Sequence, residues 1–291
     1  MEKPGYIFCG NRFFVLQKML ELELPLVKIF AVASSYLERE LQSRQMPFQR
    51  FTSKQQLVDA LRQEEFEVLV SNGCPYILPI SALQDESNRI FVNVHPSFLP
   101  ELRGADPVPG ALLHGRVSGA TCHLMNDAID AGDIIAQVAI EMTPCLDCGL
   151  LYQLSFLAEQ QVFVEAYQKN FQPSAKQCLD DHHAYYTFRE KDIEIDFAGT
   201  SESLVRKIKA FNLRSKGAWF CHRGQQYKVF DIEEVDHPYL LQRLKNYREN
   251  EIVFNYEGKL LIRKGNRFLK LKQIHGDLNH LKVGEILGSN K

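Results

Sequence analysis

The chain has 291 residues, 45% of them hydrophobic and 24% charged, with a formal net charge of −2. About two domains are expected at that length, and the composition is that of a soluble globular protein with a sizeable core. No apolar run approaches the ~18 residues of a membrane span, and Met1-Glu2-Lys3-Pro4-Gly5 leads straight into a strand-like segment without a secretory core, so a cytoplasmic protein is expected.

A strand is predicted at residues 6–9, with Gly10-Asn11 turning into an amphipathic helix from 13 to about 22. A strand at 27–33, helices at 36–44 and 53–62, and a buried strand at 66–70 follow. Then come a central strand at 90–94, a short helix at 107–114, strands at 120–125 and 134–140, and a long helix from 150 to about 167. In that helix Leu150, Leu154, Leu157, Phe163 and Ala166 fall near helical spacing. Strands alternating with helices predict an α/β domain with a mostly parallel sheet covered by helices. The first turn, Cys9-Gly10-Asn11-Arg12, is not a G-x-G-x-x-G, which counts against a dinucleotide-dependent dehydrogenase. Residues 171–183, with Pro173, Ser174 and Asp180-Asp181-His182-His183, read as an exposed linker. A helix at 201–211 then shows a basic face of Arg206, Lys207 and Lys209. Short strands at 227–235, 252–256, 259–263 and 268–274 predict a small OB-like β-barrel. Domains are thus expected at 1–170 and 197–291, with a linker at 171–196.

The chemistry concentrates near the central strand. Asn93 and His95 are two residues apart, so on a strand their side chains share a face. Pro96 has no N–H for the ladder and stops the strand there. An amide and an imidazole therefore stand side by side where strand becomes loop. Asp130 follows a second strand-like run and precedes a Gly turn, where a carboxylate can orient the imidazole. Taken singly, each has a plain structural reading: a strand-end cap, a core histidine, the start of a turn.

Asn93-Val94-His95-Pro96-Ser97-Phe98-Leu99-Pro100, with Arg103-Gly104 and Ile129-Asp130-Ala131-Gly132, resembles the folate-dependent formyltransferases. The resemblance covers about residues 1–170. It implies a Rossmann-like formyltransferase domain, 10-formyltetrahydrofolate as formyl donor, no metal, and a homodimer. It places Asn93, His95 and Asp130 on the family's catalytic Asn, His and Asp; Asp133 is not the match. In that chemistry an amine attacks the formyl carbon and negative charge develops on the carbonyl oxygen. One placed donor to that oxygen is worth about 3–4 kcal/mol of barrier. Asn93 supplies an amide N–H, His95 donates as imidazolium or accepts from the amine, and Asp130 favours the charged imidazole and fixes its tautomer. The loop Ser71-Asn72-Gly73-Cys74-Pro75-Tyr76-Ile77-Leu78-Pro79 lines the family's pterin pocket. Tyr76, Ile77, Leu78, Asn126 and Asp127 are accordingly cofactor candidates, with core packing an equal reading of Ile77 and Leu78. Asn11 is an acceptor-site candidate or a left-handed turn residue. Arg103 meets an anionic ligand or, preferably, braces its loop through carbonyls.

Ala210-Phe211-Asn212 and Gly217-Ala218-Trp219 resemble the start of the C-terminal domain of methionyl-tRNA formyltransferase. That enzyme usually carries a long basic insertion after its second strand, and here Ala31-Val32-Ala33-Ser34-Ser35 passes straight into Tyr36-Leu37-Glu38. From Arg189 onward there are 20 Lys and Arg against 14 Asp and Glu (+6), and before it 14 against 22 (−8). RNA affinity depends on phosphate neutralisation, so the expected acceptor is an amino-sugar nucleotide and nucleic acid is not an expected partner. Methionyl-tRNA formyltransferase is the second reading, and a non-catalytic RNA- or nucleotide-binding protein on the same scaffold the third. The seven cysteines read as reduced thiols, and the lone Cys145-Leu146-Asp147-Cys148 lacks the second ligand pair of a zinc site.

Overall fold

The structure, a computed structural model, describes residues 5–84, 88–180 and 182–288. The expectations for Met1–Pro4 and for Asp181 lie outside the described residues. The chain forms two compact units. The first comprises Met1–Pro107, Val117–Met142 and Tyr152–Thr187, the second Val108–Arg116, Thr143–Leu151 and Phe188–Lys291.

In the first unit β1 (Tyr6–Gly10), β2 (Leu26–Val32), β3 (Gln49–Phe51), β4 (Val68–Asn72), β5 (Ile90–His95), β6 (Ser118–Leu124) and β7 (Ile134–Ile140) form one sheet, ordered β3-β2-β1-β4-β5-β6-β7. The first five run parallel; β6 and β7 form an antiparallel hairpin beside β5. The mostly parallel α/β expectation holds. Every residue of β1 and β4 is buried, as parallel strands covered on both faces require. The connections are helical: α1 (Phe14–Glu21), α2 (Tyr36–Ser43), α3 (Lys54–Leu61) and the short α4 (Ile80–Leu83). Ser35 caps α2 by accepting from Glu38 N at 3.1 Å, and Ser53 caps α3 by accepting from Gln56 N at 3.2 Å.

Two differences from the sequence reading bear on the site. The fourth strand runs on to Asn72, so Ser71 and Asn72 are buried strand residues and not loop. In α6 (Cys148–Gln168) the buried face of the first unit's part carries Ser155, Ala158, Glu159, Val162, Phe163 and Ala166, whereas Leu157 is 63% exposed. Polar residues occupy turns of the inward face, so leucine spacing alone misplaces it; Leu150, also expected inward, is exposed. The expected helix α5 forms at Pro107–His114.

In the second unit β8 (Ala218–His222), β9 (Gln225–Val235), β10 (Ile252–Tyr256), β11 (Lys259–Lys264) and β12 (Arg267–His275) form an antiparallel sheet ordered β10-β11-β12-β9-β8. Helix α7 (Ser201–Ala210), capped by Thr200, packs Leu204 and Ile208 into this unit's core with Phe220, Val229 and Leu269. Strand β8 was not anticipated, because its Cys and His break the apolar pattern, although alternate residues are buried.

Candidate active site

Strand β1 lies between β2 and β4, so chain connections leave it in opposite directions. Such a switch point opens a crevice beyond the carboxyl ends of the strands. A cavity of about 350 Å³ sits there, and Asn11, Arg12, Tyr76, Asn93, His95 and Asp130 are among its lining residues. That size falls in the usual range of small-molecule sites.

Asn93 and His95 are in the last turn of the pleat of β5, just before Pro96. Asp130 reaches them from the loop after β6. Its Oδ1 accepts from Asn93 Nδ2 at 3.3 Å and lies 3.7 Å from His95 Nδ1; its Oδ2 accepts from Gly104 N at 3.0 Å. The aspartate is held at φ +46°, a left-handed conformation unusual for a residue with a side chain. Two glycines allow this approach. A Cβ on Gly132 would stand 1.8 Å from Leu124 O, and Gly104, at φ +109°, would meet Tyr186 O at 2.8 Å.

The imidazole differs from expectation in two respects. Its Nε2–H donates to Leu102 O at 3.1 Å, so this carbonyl, not Asp130, fixes the tautomer and leaves Nδ1 toward the carboxylate. Burial lowers the pKa of His95 below the ordinary imidazole value, and Asp130 opposes this only in part. The resting imidazole is therefore neutral near pH 7, where the sequence reading had Asp130 favouring the charged form. Burial also pushes the Asp130 carboxyl up, but His95, His123 and the Gly104 N–H outweigh it and hold it below the usual carboxylate range. The carboxylate remains ready to stabilise a proton that arrives on Nδ1.

His123 is a member of this cluster that the sequence reading missed. It stands opposite Asn93 in the β5–β6 register, with 2% exposure. Its Nδ1 donates to Leu124 O at 2.7 Å, and its Nε2 lies 3.2 Å from Asn93 Nδ2 and 3.7 Å from Asp130 Oδ1. The Asn93 amide N–H groups are thereby aimed at Asp130 and His123 together. Antiparallel pairing of β5 with β6 was the missing signal, because it alone puts His123 beside Asn93.

The other candidates divide. Tyr76, Ile77, Leu78 and Asn126 line the cavity. Tyr76 is anchored by its hydroxyl, which donates to Thr52 O at 2.7 Å, and Ile77 is 46% exposed. Leu78 is also a core residue, packed with Leu83 and Phe91. Asp127 does not line the cavity: its carboxylate accepts from Ser81 N and Ser81 Oγ at the start of α4. Asp127 therefore stands at the start of that helix with both oxygens engaged by Ser81, and not among the cavity's lining residues where it was expected. Asn11 lines the cavity, with its Oδ1 buried and unpartnered. Arg103 is not among the cavity's lining residues, and its buried Nε has no hydrogen-bond partner among the described residues. Its own peptide accepts from Tyr186 N, while Thr121 and Gln137 hold the 97–99 loop by bonds to Ser97 O and Leu99 O. The segment expected as an exposed linker also reaches the site, where Gln177 Nε2 donates to Asp130 O at 3.0 Å and Gly132 O at 2.6 Å. Among the described residues no group of three or more His, Cys, Asp and Glu is placed to hold a metal ion.

The formyl transferase family matches residues 30–167 and the formyl transferase C-terminal domain matches residues 188–287. The chain belongs to the formyl transferase family. The chain is 26% identical over 261 residues to the methionyl-tRNA formyltransferase of Thermotoga maritima, covering 87% of this chain and 83% of that one. Against several other methionyl-tRNA formyltransferases the match spans about half of the relative's length. The fold is shared with WlaRD, a sugar 3N-formyltransferase crystallised in the presence of dTDP and 5-N-formyl-THF (TM-score 0.71, 17% identity, covering 94% of this chain and 98% of that one). It is equally shared with an N-formyltransferase from Helicobacter canadensis in complex with folinic acid and dTDP-3-aminofucose (TM-score 0.71, 16% identity, covering 94% and 100%). No helix among the described residues is long and apolar enough to cross a membrane.

Proposed function

We propose that this protein transfers the formyl group of 10-formyltetrahydrofolate to the amine of an amino-sugar nucleotide. The observation that carries the chemistry is the convergence of Asn93, His95 and Asp130 on one cavity at the strand switch. The cavity suits a flat heterocycle: Pro75, Tyr76 and Ile77 face it from one loop, Met125 and Asn126 from another, and Gly73 and Gly104 leave its walls without side chains. When bound there, the folate would supply the formyl carbon. The neutral, buried imidazole of His95 takes a proton from the attacking amine, Asp130, 3.7 Å from Nδ1, stabilises the imidazolium, and the proton would then pass to the folate nitrogen as its bond to the formyl carbon breaks and tetrahydrofolate leaves. The Asn93 amide turns from its resting partners to donate to the oxygen on which charge develops.

The acceptor follows from charge and loop length. Only residues 33–35 connect β2 to α2, and Ser35 is already the helix cap. There is no room in that connection for a basic RNA-gripping insertion. The basic tail is largely committed internally. Lys207 donates to Glu194 O at 2.5 Å, and Lys209 to Pro144 O. On the sheet Lys272 pairs with Asp231 at 2.9 Å, and Lys270 and Arg267 pair with Glu233 and Glu234. Lysines held to carbonyls and surface cations paired with carboxylates are less available to the many contacts an RNA backbone needs. The domains proposed are catalytic through about residue 170 and C-terminal from about residue 197, and the assembly a homodimer in the cytoplasm. The test is incubation with 10-formyltetrahydrofolate and a panel of nucleotide-linked amino sugars, followed by mass spectrometry. A formyl-sized mass gain on at least one sugar supports the reading; gain on none of them, with formylation of Met-tRNA instead, removes it.

A further inference from the structure

The switch crevice also carries an ion pair outside the catalytic cluster. Arg12, just past β1, lines the cavity, and its Nη1 donates to Glu159 Oε1 on α6. The Glu159 side chain has no solvent exposure and that of Arg12 has 18%. Glu159 Oε1 accepts in addition from Asn72 Nδ2 at 3.1 Å, and the same Asn72 nitrogen donates to Val94 O at 2.9 Å. Val94 is the residue between Asn93 and His95. A continuous set of contacts therefore leads from a cavity-facing cation to the backbone of the catalytic strand.

A carboxylate in this place is expensive. Its helical neighbours Ala158, Val162 and Phe163 belong to the apolar core, and an apolar side chain would satisfy packing there at less cost. Burial raises the pKa of Glu159 against the opposing pull of Arg12 and Asn72, and Oε2 is buried without a partner. What the carboxylate does is hold two donors, one facing the cavity and one gripping the catalytic strand. Arg12 is the one Lys or Arg among the described cavity-lining residues, and its guanidinium lies 5.7 Å from the Phe156 ring centroid, a second constraint on its aim. It stands at the β1 end of the row of strand tips, whereas Met125 and Asn126 stand at the β6 end, about 14 Å away at three strand spacings.

Resting on the reading that the acceptor is an amino-sugar nucleotide, we propose that Arg12 binds an oxygen of that acceptor, and that Glu159 and Asn72 are positioning residues that hold Arg12 and the Asn93–His95 strand in one arrangement. The recognised oxygen belongs to a phosphate or to a sugar hydroxyl. The competing occupant is the anionic tail of the folate.

The test compares wild type with R12K, R12Q, E159Q, R12Q/E159Q and N72A. Acceptor KM and kcat are measured at saturating 10-formyltetrahydrofolate, and calorimetry gives the affinity for 5-formyltetrahydrofolate. The double variant removes both charges together and leaves no unpaired buried ion, so it separates recognition from misfolding. R12Q and R12Q/E159Q should raise acceptor KM about tenfold or more with folate affinity within about twofold of wild type, and R12K should recover part of the loss. N72A should lower kcat with acceptor KM little changed, because the Val94 carbonyl loses its holder. Repeating the series with the free amino sugar distinguishes the oxygens: the effect of R12Q vanishes if phosphate is the contact and persists if hydroxyl is. An acceptor KM in R12Q/E159Q within about twofold of wild type, or a loss that falls on folate affinity, overturns the proposal. If wild type formylates no amino-sugar nucleotide, the underlying reading has failed; if it does and the Arg12 variants behave as wild type, this inference alone has failed.

Discussion

His95, the proposed base, sits in an environment that favours its uncharged form. Burial lowers its pKa below the ordinary 6.5, and the sign of the linkage follows: the folded state binds this proton less readily than the unfolded state. The group therefore costs stability as pH falls below about 6.5, and none is lost above it. The imidazole should titrate below 6.5 by NMR, and lower still in D130N, where the carboxylate that raises it is gone. An upward movement in D130N would contradict the assignment. H95A should abolish turnover, because the imidazole proposed to take the proton of the attacking amine is gone, while 5-formyltetrahydrofolate binding persists in calorimetry. N93A should cut kcat by about 100-fold or more, the usual cost of one lost oxyanion donor. Retention of near-normal kcat in H95A would exclude the mechanism. The i, i+2 spacing put Asn93 and His95 on one face of a strand end, and the resemblance to the folate-dependent formyltransferases singled out both together with Asp130. What holds them was not legible. The Leu102 carbonyl, His123 and the buried Asn72 act through tertiary pairing, and no local pattern marks an asparagine that bonds a carbonyl one strand away.

Among the elements, the β6–β7 hairpin and its loop set the position of Asp130. The loop tolerates no bulk at Gly132, where an added Cβ would press on Leu124 O at 1.8 Å. G132A should therefore destabilise the protein by about 1–3 kcal/mol, read by denaturant unfolding, and lower turnover by moving Asp130. A variant as stable and as active as wild type would show that the turn can relax. The same hairpin shows where sequence reading reaches its limit. Alternating residues marked β6 and β7 as strands, yet nothing in the alternation says whether a strand runs parallel or antiparallel. The three-residue β3 at the sheet edge is too short for any periodicity. Strand β8 hides behind Cys221 and His222, and α6 buries Ser155 and Glu159 while Leu150 and Leu157, expected inward, are exposed.

At the scale of the molecule, the proposed choice of acceptor rests on where cations are free. The catalytic part is acidic, the β2–α2 connection is three residues long, and much of the basic tail is tied to carbonyls and carboxylates. A small ligand with two phosphates needs few cations, and an RNA needs many. The most direct measurement is kcat/KM for a nucleotide-linked amino sugar and for Met-tRNA, side by side, as salt rises from about 50 to 200 mM. Formylation of the sugar nucleotide with a shallow salt dependence, and negligible formylation of Met-tRNA, is the expected result. Efficient formylation of Met-tRNA that collapses over that range by orders of magnitude, as many phosphate contacts require, with no activity on amino-sugar nucleotides, would contradict it.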